Sequence, residues 1–351
     1  MNYLFVTTGC LRMNPSFVRL RELGRFLSKK GLNIFYLCDN TDFNISLIKK
    51  LDYANVILLG KQHRLKLFRL LERKRIVKEI NPDIVHFLNP FPSNTLTIFN
   101  FDNLIVSDYD ELYSERSINI QKKIFKICEF IARQQADLIT VSSRHLQKYF
   151  QDKYNCKSLY LPYATYLENV QTGASPFSHP TAVYLGNLHQ DGDHDILIDA
   201  WTILESQGIA PPLCVIGGGP CLEEVKAQVI SRGLKSITFL GYQPVQANQN
   251  YLYHAHILLF PIRDTIGNRM RCPSKTFAYM QSGRPIVTCR VGEVAEALDN
   301  QGIYVEPTPE AFAKKIIELF SVPLEKVEYD LQRHQWENRA KDLLAAIQAK
   351  L

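Results

Sequence analysis

The sequence predicts an α/β protein made of two tandem doubly wound, Rossmann-like domains that face each other across a cleft, and three observations predict it. The chain is 351 residues long, more than one hydrophobic core usually carries. Short apolar runs alternate with amphipathic stretches of helical period, the βα rhythm of a parallel sheet covered by helices. That rhythm lapses over 165–180, where turn residues gather, and then starts again. The expected boundaries are a first domain over 1–165, a linker over 166–180, a second domain over 181–335 and a last helix over 336–351. In sheets of this kind ligands sit beyond the carboxyl ends of the strands, so function belongs in the loops that follow strands.

In the first domain, strands are expected at 3–7, 33–37, 55–59, 83–87, 103–107, 138–142 and 158–161. Each is a short apolar or β-branched run of the kind buried on both faces of a parallel sheet. Helical periodicity fills 15–29, 62–80, 118–135 and 143–152. In the second domain the runs 181–185, 212–216, 237–240, 256–260 and 285–288 read as strands. The helices there are 194–207, 221–231, 274–282, 308–320 and 323–349.

Composition narrows the class. Apolar residues make up 46% and charged residues 22%, ordinary globular usage that excludes a disordered or fibrous chain. No apolar run approaches the ~20 residues needed to cross a bilayer, and the opening residues lack the pattern of a signal peptide. A cytoplasmic protein is expected, peripheral to the inner membrane surface if it touches lipid. The eight cysteines form no C-x-x-C pair, so neither a disulfide scaffold nor a zinc site is expected. Charge is divided: residues 1–165 hold 25 Lys+Arg against 15 Asp+Glu, a net of +10, and residues 166–351 hold 16 against 20, a net of −4. A basic half can meet anionic lipid, nucleic acid or a phosphorylated substrate.

The loops carry the chemistry. Gly217, Gly218, Gly219 and Pro220 follow an apolar strand and precede a helix. Glycines there permit close backbone approach, and a helix start favours an anion, although a strand-to-helix turn needs glycine in any case. Residues 261–275 follow the strand ending at Phe260 and bring together Arg263, Arg269, Arg271 and Lys275. Ser274 and Lys275 open the next helix, so a diphosphate could be held there by charge and helix dipole together. Asp108, Asp110 and Glu111 surround Tyr109 just past a strand, where they could orient an acceptor hydroxyl or simply form an acidic surface turn. His86, at the end of its strand, is a cleft or a core histidine. The cluster from His189 to Asp195 matches neither a calcium loop nor a zinc motif, and an acidic helix start accounts for Asp193 and Asp195. Residues 61–80 carry eight Lys/Arg and an apolar stripe. Such a helix can lie on an anionic membrane or cover a sheet with a solvated basic face, and peripheral membrane contact through 61–80 is one expectation.

Residues 273–298 resemble the P-x-K-x-x-E-Y-x-x-x-G-x-P-V-V stretch, followed by G-x-x-x-E, of the retaining family 4 glycosyltransferases of GT-B fold. Tyr184 to Leu188 resemble the strand that opens that family's donor domain. Val215 to Pro220 resemble its V-x-G-x-G-P loop, Ile237 to Tyr242 its F-x-G turn, Pro82 to His86 its P-D-V-V-H, and Gln335 to Ala340 its S-W-E-x-R-A. The similarity spans nearly the whole chain.

The resemblance implies a nucleoside-diphosphate sugar as co-substrate in the second domain and a glycan, lipid-linked or small-molecule acceptor on the first. It further implies retention at the anomeric carbon, no obligatory metal or cofactor, and a last helix that returns to the first domain. Polysaccharide biosynthesis is the expected setting, and no nucleic-acid partner is expected. Carried over by position, Lys275 with Ser274 would meet the diphosphate, and Gly186, Asn187, Gly217, Gly218, Gly219, Gly241 and Tyr242 would shape the donor pocket. Gly9 would let the first domain approach the diphosphate. Arg269 and Arg271 join Lys275 as catalytic candidates from charge and position, Tyr109 and Asp110 join them from the acceptor side, and His86, Asp108, Asp110 and Glu111 are the acceptor-binding candidates. The chain also departs from the pattern. The family's two E-x7-E glutamates fall on Met270 and Ala278, its basic pair on Asn187 and Gly192, and its acceptor-side histidine on Tyr109. A non-catalytic partner that keeps the GT-B scaffold is the alternative.

Overall fold

The computed structural model describes residues 1–11, 16–60, 66–98, 102–166, 172–190 and 192–351. Among them the strands form two parallel sheets, and the chain divides into two compact units. Unit 1 comprises Met1–Ala164, Arg269–Cys272 and Gln335–Leu351; unit 2 comprises Thr165–Asn268 and Pro273–His334.

The sheet of unit 1 contains β1 (Asn2–Val6), β2 (Asn33–Cys38), β3 (Ala54–Leu58), β4 (Ile84–Leu88), β5 (Leu104–Tyr109), β6 (Leu138–Val141) and β7 (Leu159–Tyr160). Their order is β3-β2-β1-β4-β5-β6-β7. The sheet of unit 2 contains β8 (Ala182–Leu185), β9 (Leu213–Ile216), β10 (Ile237–Gly241), β11 (Ile257–Phe260), β12 (Ile286–Thr288) and β13 (Ile303–Tyr304). Their order is β10-β9-β8-β11-β12-β13. Both orders start at an inner strand, run to one edge and then return to the other side, the doubly wound topology with its switch point beside the first strand.

Strand alternation explains the two-sided core. In β1, Tyr3 and Phe5 point to a cluster with Leu20, Leu23, Leu27, Leu343 and Ile347. The intervening Leu4 and Val6 point to the opposite cluster with Ile76, Val77, Val85, Phe87 and Ile105. Period 2 thus delivers apolar groups to both faces, each buried side chain contributing roughly 1.5–3 kcal/mol. Helices Ser16–Lys29 and Trp336–Gln348 supply the first face. Helices Lys66–Ile80 and Asn119–Gln135 lie on the second. At Gly24 the first helix passes so close to β2 that an added Cβ would lie 2.1 Å from the Tyr36 hydroxyl.

The single helix expected over 323–349 is not formed. Residues 322–331 contain no helix, and after a short turn at Gln332–His334 the helix runs only over Trp336–Gln348. The reason is competition from neighbouring backbone. Val327 N donates to Gly283 O at 2.8 Å, and the Tyr329 hydroxyl donates to Arg284 O at 2.9 Å. Strand β13 and the helices Asp42–Lys50, Pro92–Thr97, Val245–His254 and Gly292–Leu298 add to the expected elements. The described part of the expected linker is tied to unit 2, where Gly173 N donates to Asn250 Oδ1 at 2.9 Å. Among the described residues no helix is long and apolar enough to cross a membrane. No disulfide joins any of the eight cysteines.

Candidate functional site

In unit 2 the residues singled out by the sequence gather at the carboxyl ends of β8, β9 and β10. The Gly217 and Gly219 backbones adopt φ of +121° and +128°, outside the range comfortable for residues with a Cβ. A Cβ on Gly217 would lie 2.1 Å from Gly186 O, and one on Gly219 would lie 2.5 Å from Leu188 O. Gly186 N donates to Ile216 O at 2.9 Å, Leu188 N to Gly218 O at 2.6 Å and Gly217 N to Gly241 O at 2.8 Å. The three turns therefore form one hydrogen-bonded rim. Tyr242 covers it: a Cβ on Gly218 would lie 2.6 Å from the ring, and the hydroxyl donates to Asn187 Oδ1 at 2.9 Å.

Lys275 reaches this rim from the first position of helix Lys275–Ser282. Its Nζ lies 4.5 Å from the ring centroids of Tyr184 and Phe260 and 3.5 Å from the Tyr184 hydroxyl. A Cβ on Gly186 would come within 2.6 Å of that nitrogen, so a side chain there would displace the ammonium from this position. Tyr279 fixes the helix, its hydroxyl accepting from Leu185 N at 2.8 Å and donating to Leu259 O at 3.2 Å. Ser274 sits at the helix start, exposed, and its side chain makes no capping hydrogen bond.

The other three cations of the 261–275 loop differ from Lys275. Arg263 is committed to structure: its guanidinium pairs with Asp193 at 2.9 Å and with Asp195 at 2.6 Å, and those hydrogen bonds raise its pKa further. The acidic cluster near 193 is thus the partner of an arginine. Arg269 and Arg271 belong to unit 1 with the segment Arg269–Cys272, whereas Lys275 belongs to unit 2. Within unit 1, Met270 O accepts from Ser143 Oγ at 2.9 Å, and the Met270 side chain packs against the cluster of Tyr109, Val141 and Phe150. Where the resemblance put the first glutamate of its E-x7-E pair, this chain has an apolar plug.

At the carboxyl edge of the unit 1 sheet, Gly9 is exposed at φ +73°, with its N–H donating to Asp39 Oδ2 at 2.6 Å. Asn44 Nδ2 donates to Gly9 O at 3.0 Å. Asp39 is in turn held by Arg69 at 2.8 Å and Arg73 at 3.1 Å. Buried Arg73 also donates to Thr7 O at 2.8 Å and to Asn94 Oδ1 at 3.0 Å. Two of the arginines expected on a solvated or lipid-facing surface of 61–80 therefore brace the loop after β1, while residues 61–65 lie outside the described residues.

The acceptor-side expectations need correction. Tyr109 is fully buried, its hydroxyl donating to Glu129 O at 2.8 Å and its ring edge-on to Phe150, so it is a core residue. Asp108 points to the other face of β5, where it is fully buried against Arg19 at 2.8 Å and accepts from the Thr140 hydroxyl. His86 is fully buried as well, with Nδ1 2.8 Å from the Tyr3 hydroxyl. Burial, aided by the Arg19 charge, pushes its pKa down to about 3, so it is a neutral core histidine. Asp110 lies past the end of β5, buried, accepting from the Ser16 and Tyr113 hydroxyls. Desolvation first, then the charges of Glu111 and Asp108, raise its pKa well above the usual carboxylate range. Glu111 pairs with Arg116 at 2.6 Å.

Several residues of this edge escaped the sequence reading: Arg19, Asp39, Asn44, Arg73 and Asn89. Asn89 adopts φ +58° and accepts from Asp110 N at 3.1 Å. Its Asn-Pro dipeptide is the one signal that marked it, as a turn. The others are polar residues within helices or at strand ends, which spacing alone does not connect.

Residues 179–321 match the family model described as glycosyl transferases group 1. No curated protein matches the chain. Among solved structures, Anabaena Alr3699/HepE in complex with UDP-glucose superposes with a TM-score of 0.80 at 13% identity, over 99% of this chain and 100% of that one. A glycosyltransferase from Rickettsia africae gives 0.69 at 16% identity, over 98% and 93%. WaaG, a glycosyltransferase involved in lipopolysaccharide biosynthesis, gives 0.70 at 14%, over 97% and 94%. The likeness to these structures is one of fold and makes the chain one of GT-B architecture, while the segment that resembles the group 1 glycosyltransferases contains the glycine rim and Lys275.

Proposed function

We propose that the chain transfers a sugar from a nucleoside-diphosphate sugar to a glycan or lipid-linked acceptor, with retention of configuration at the anomeric carbon. The observation that carries this reading is the Lys275 ammonium set against the glycine rim of β8, β9 and β10. Glycines let a diphosphate approach backbone there, and the lysine supplies charge at the same edge. HepE binds UDP and UDP-glucose in its crystals, which supports a donor of that class. The involvement of WaaG in lipopolysaccharide biosynthesis supports a glycan or lipid-linked acceptor and a role in polysaccharide assembly.

When the bond between the anomeric carbon and the diphosphate oxygen breaks, negative charge grows on the leaving group. Stabilising that charge is the main electrostatic task, and Lys275 performs it, with Arg269 and Arg271 as further contributors. The reading needs no metal and no resident cofactor. It keeps Gly9 for the diphosphate, and Asp110 and Glu111 on the acceptor side. Lys275→Ala should lower turnover by at least ~100-fold, the scale of losing one charge-stabilising donor. Steady-state kinetics alongside a thermal melt check this; a well-folded variant that turns over normally removes Lys275 from the mechanism.

A further inference from the structure

We propose that the outward face of helix Asn119–Gln135 docks unit 1 on an anionic lipid surface. The sheet side of the helix carries Cys128 and Ala132, both buried. The opposite side leaves Ile120, Ile124, Ile127 and Phe130 exposed, with Ile120 at 65%, Ile127 at 58% and Phe130 at 55%. Their spacing of four, three and three residues makes a single stripe. A helix that only covered a sheet would present polar groups there, and a run of large apolar side chains on the surface marks an interaction site.

Charge selects the occupant. The helix carries Lys122, Lys123, Lys126 and Arg133 against one acid, Glu129, whose carboxylate is turned inward to accept from Ser114 N at 3.0 Å. Lys122 and Lys126 share Glu115, at 3.2 and 3.9 Å. Lys123 lies among the exposed isoleucines and makes no ion pair among the described residues. At the far end Arg133 stacks over Phe130 at 5.3 Å and over Tyr154 at 4.1 Å, grouping aromatic rings with a cation as at a lipid headgroup boundary. The apolar surface continues: helix Pro92–Thr97, which packs on Asn119–Gln135, exposes Leu96. A second copy of this face would set lysine against lysine, whereas anionic headgroups complement both the cations and the net +10 of residues 1–165. An apolar stripe flanked by cations is what an interfacial helix presents to a bilayer.

The test is co-sedimentation of the full chain with vesicles of phosphatidylglycerol and phosphatidylcholine, and with vesicles of phosphatidylcholine alone. The chain should bind the anionic vesicles preferentially, and less so as salt rises. Replacing the three isoleucines together (Ile120→Gln, Ile124→Gln, Ile127→Gln) should weaken binding at least ~10-fold with an unchanged melting temperature, because all three are exposed. Lys123→Glu with Lys126→Glu should remove the preference for anionic lipid. Unchanged vesicle binding by the isoleucine variant overturns the proposal, as does a wild-type chain that stays in the supernatant. Loss of a concentration-dependent dimer in that variant, without any vesicle binding by the wild type, would assign the face to self-association instead. Calorimetry with a nucleoside diphosphate, which these substitutions should leave unchanged, keeps this outcome separate from the transferase reading.

Discussion

At the scale of single residues, the glycine rim sorts into positions that differ sharply in what they tolerate. Gly217→Ala places a Cβ 2.1 Å from Gly186 O, backbone against backbone, at a φ that L residues avoid. Strain and overpacking together should cost about 2–4 kcal/mol and abolish tight nucleotide binding. Gly241 also has a positive φ, +66°, but nothing lies within 4 Å of its virtual Cβ. Gly241→Ala should therefore cost only about 1–2 kcal/mol. Urea melts and calorimetry of the two variants check the ranking, and equal losses would refute it. His86 gives a pH signature. Its pKa is near 6.5 unfolded and about 3 folded, so between those values the unfolded chain binds more protons and acidification favours unfolding. Asp110, whose pKa is raised, contributes the opposite slope where its unfolded form ionises first. The clean measurement is thus a difference. Between about pH 6.5 and pH 4 the wild type should lose roughly 3 kcal/mol relative to its His86→Gln variant. Parallel stability curves would show that His86 is not held neutral.

At the scale of elements, the helix Ser16–Lys29 keeps a glycine where alanine would be about 1 kcal/mol better by propensity. Tyr36 explains it. Its hydroxyl donates to Leu20 O at 3.0 Å, and its ring stacks on Phe5 at 5.1 Å, so it has no room to withdraw from a new Cβ at Gly24. Gly24→Ala should destabilise by about 1 kcal/mol net, the overpacking exceeding the propensity gain. Adding Tyr36→Phe should recover part of that loss in a double-mutant cycle. Additive effects would mean that the close approach is unimportant. The strands were legible because a parallel strand covered on both sides is a continuous apolar run, visible without knowledge of its partners. The irregular stretch before Trp336, inside the helix expected over 323–349, was not, because Val327 and Tyr329 bond to Gly283 and Arg284, more than forty positions away.

At the scale of the whole molecule, the same division separates the two candidate edges. Gly217, Gly219 and Lys275 announce themselves locally, through backbone geometry and a motif beside a helix start. The edge of unit 1 is assembled from distant polar residues: Arg73 meets Asp39 across thirty-four positions and Thr7 across sixty-six. Alternation along β5 could not say that Asp108 and Tyr109 both face packed helices, since each face of that sheet is covered. The charge asymmetry between the halves was visible from the start, but its use was not. Arg69 and Arg73 turn inward to Asp39, while the exposed isoleucine stripe with cations around it lies on Asn119–Gln135.

One consequence of the way the units are composed concerns dissection. Because Met270 and the helix Trp336–Gln348 belong to unit 1, the chain passes between units four times. Trimming it at Ala164 would not liberate a self-sufficient half. Leu20, Leu23 and Leu27 would be stripped of Leu343 and Ile347, and Tyr109 with its neighbours would forfeit the methionine that shields them. The two halves are interdependent as polypeptide, and their separation by proteolysis or truncation would leave sticky, unshielded wounds rather than two proteins.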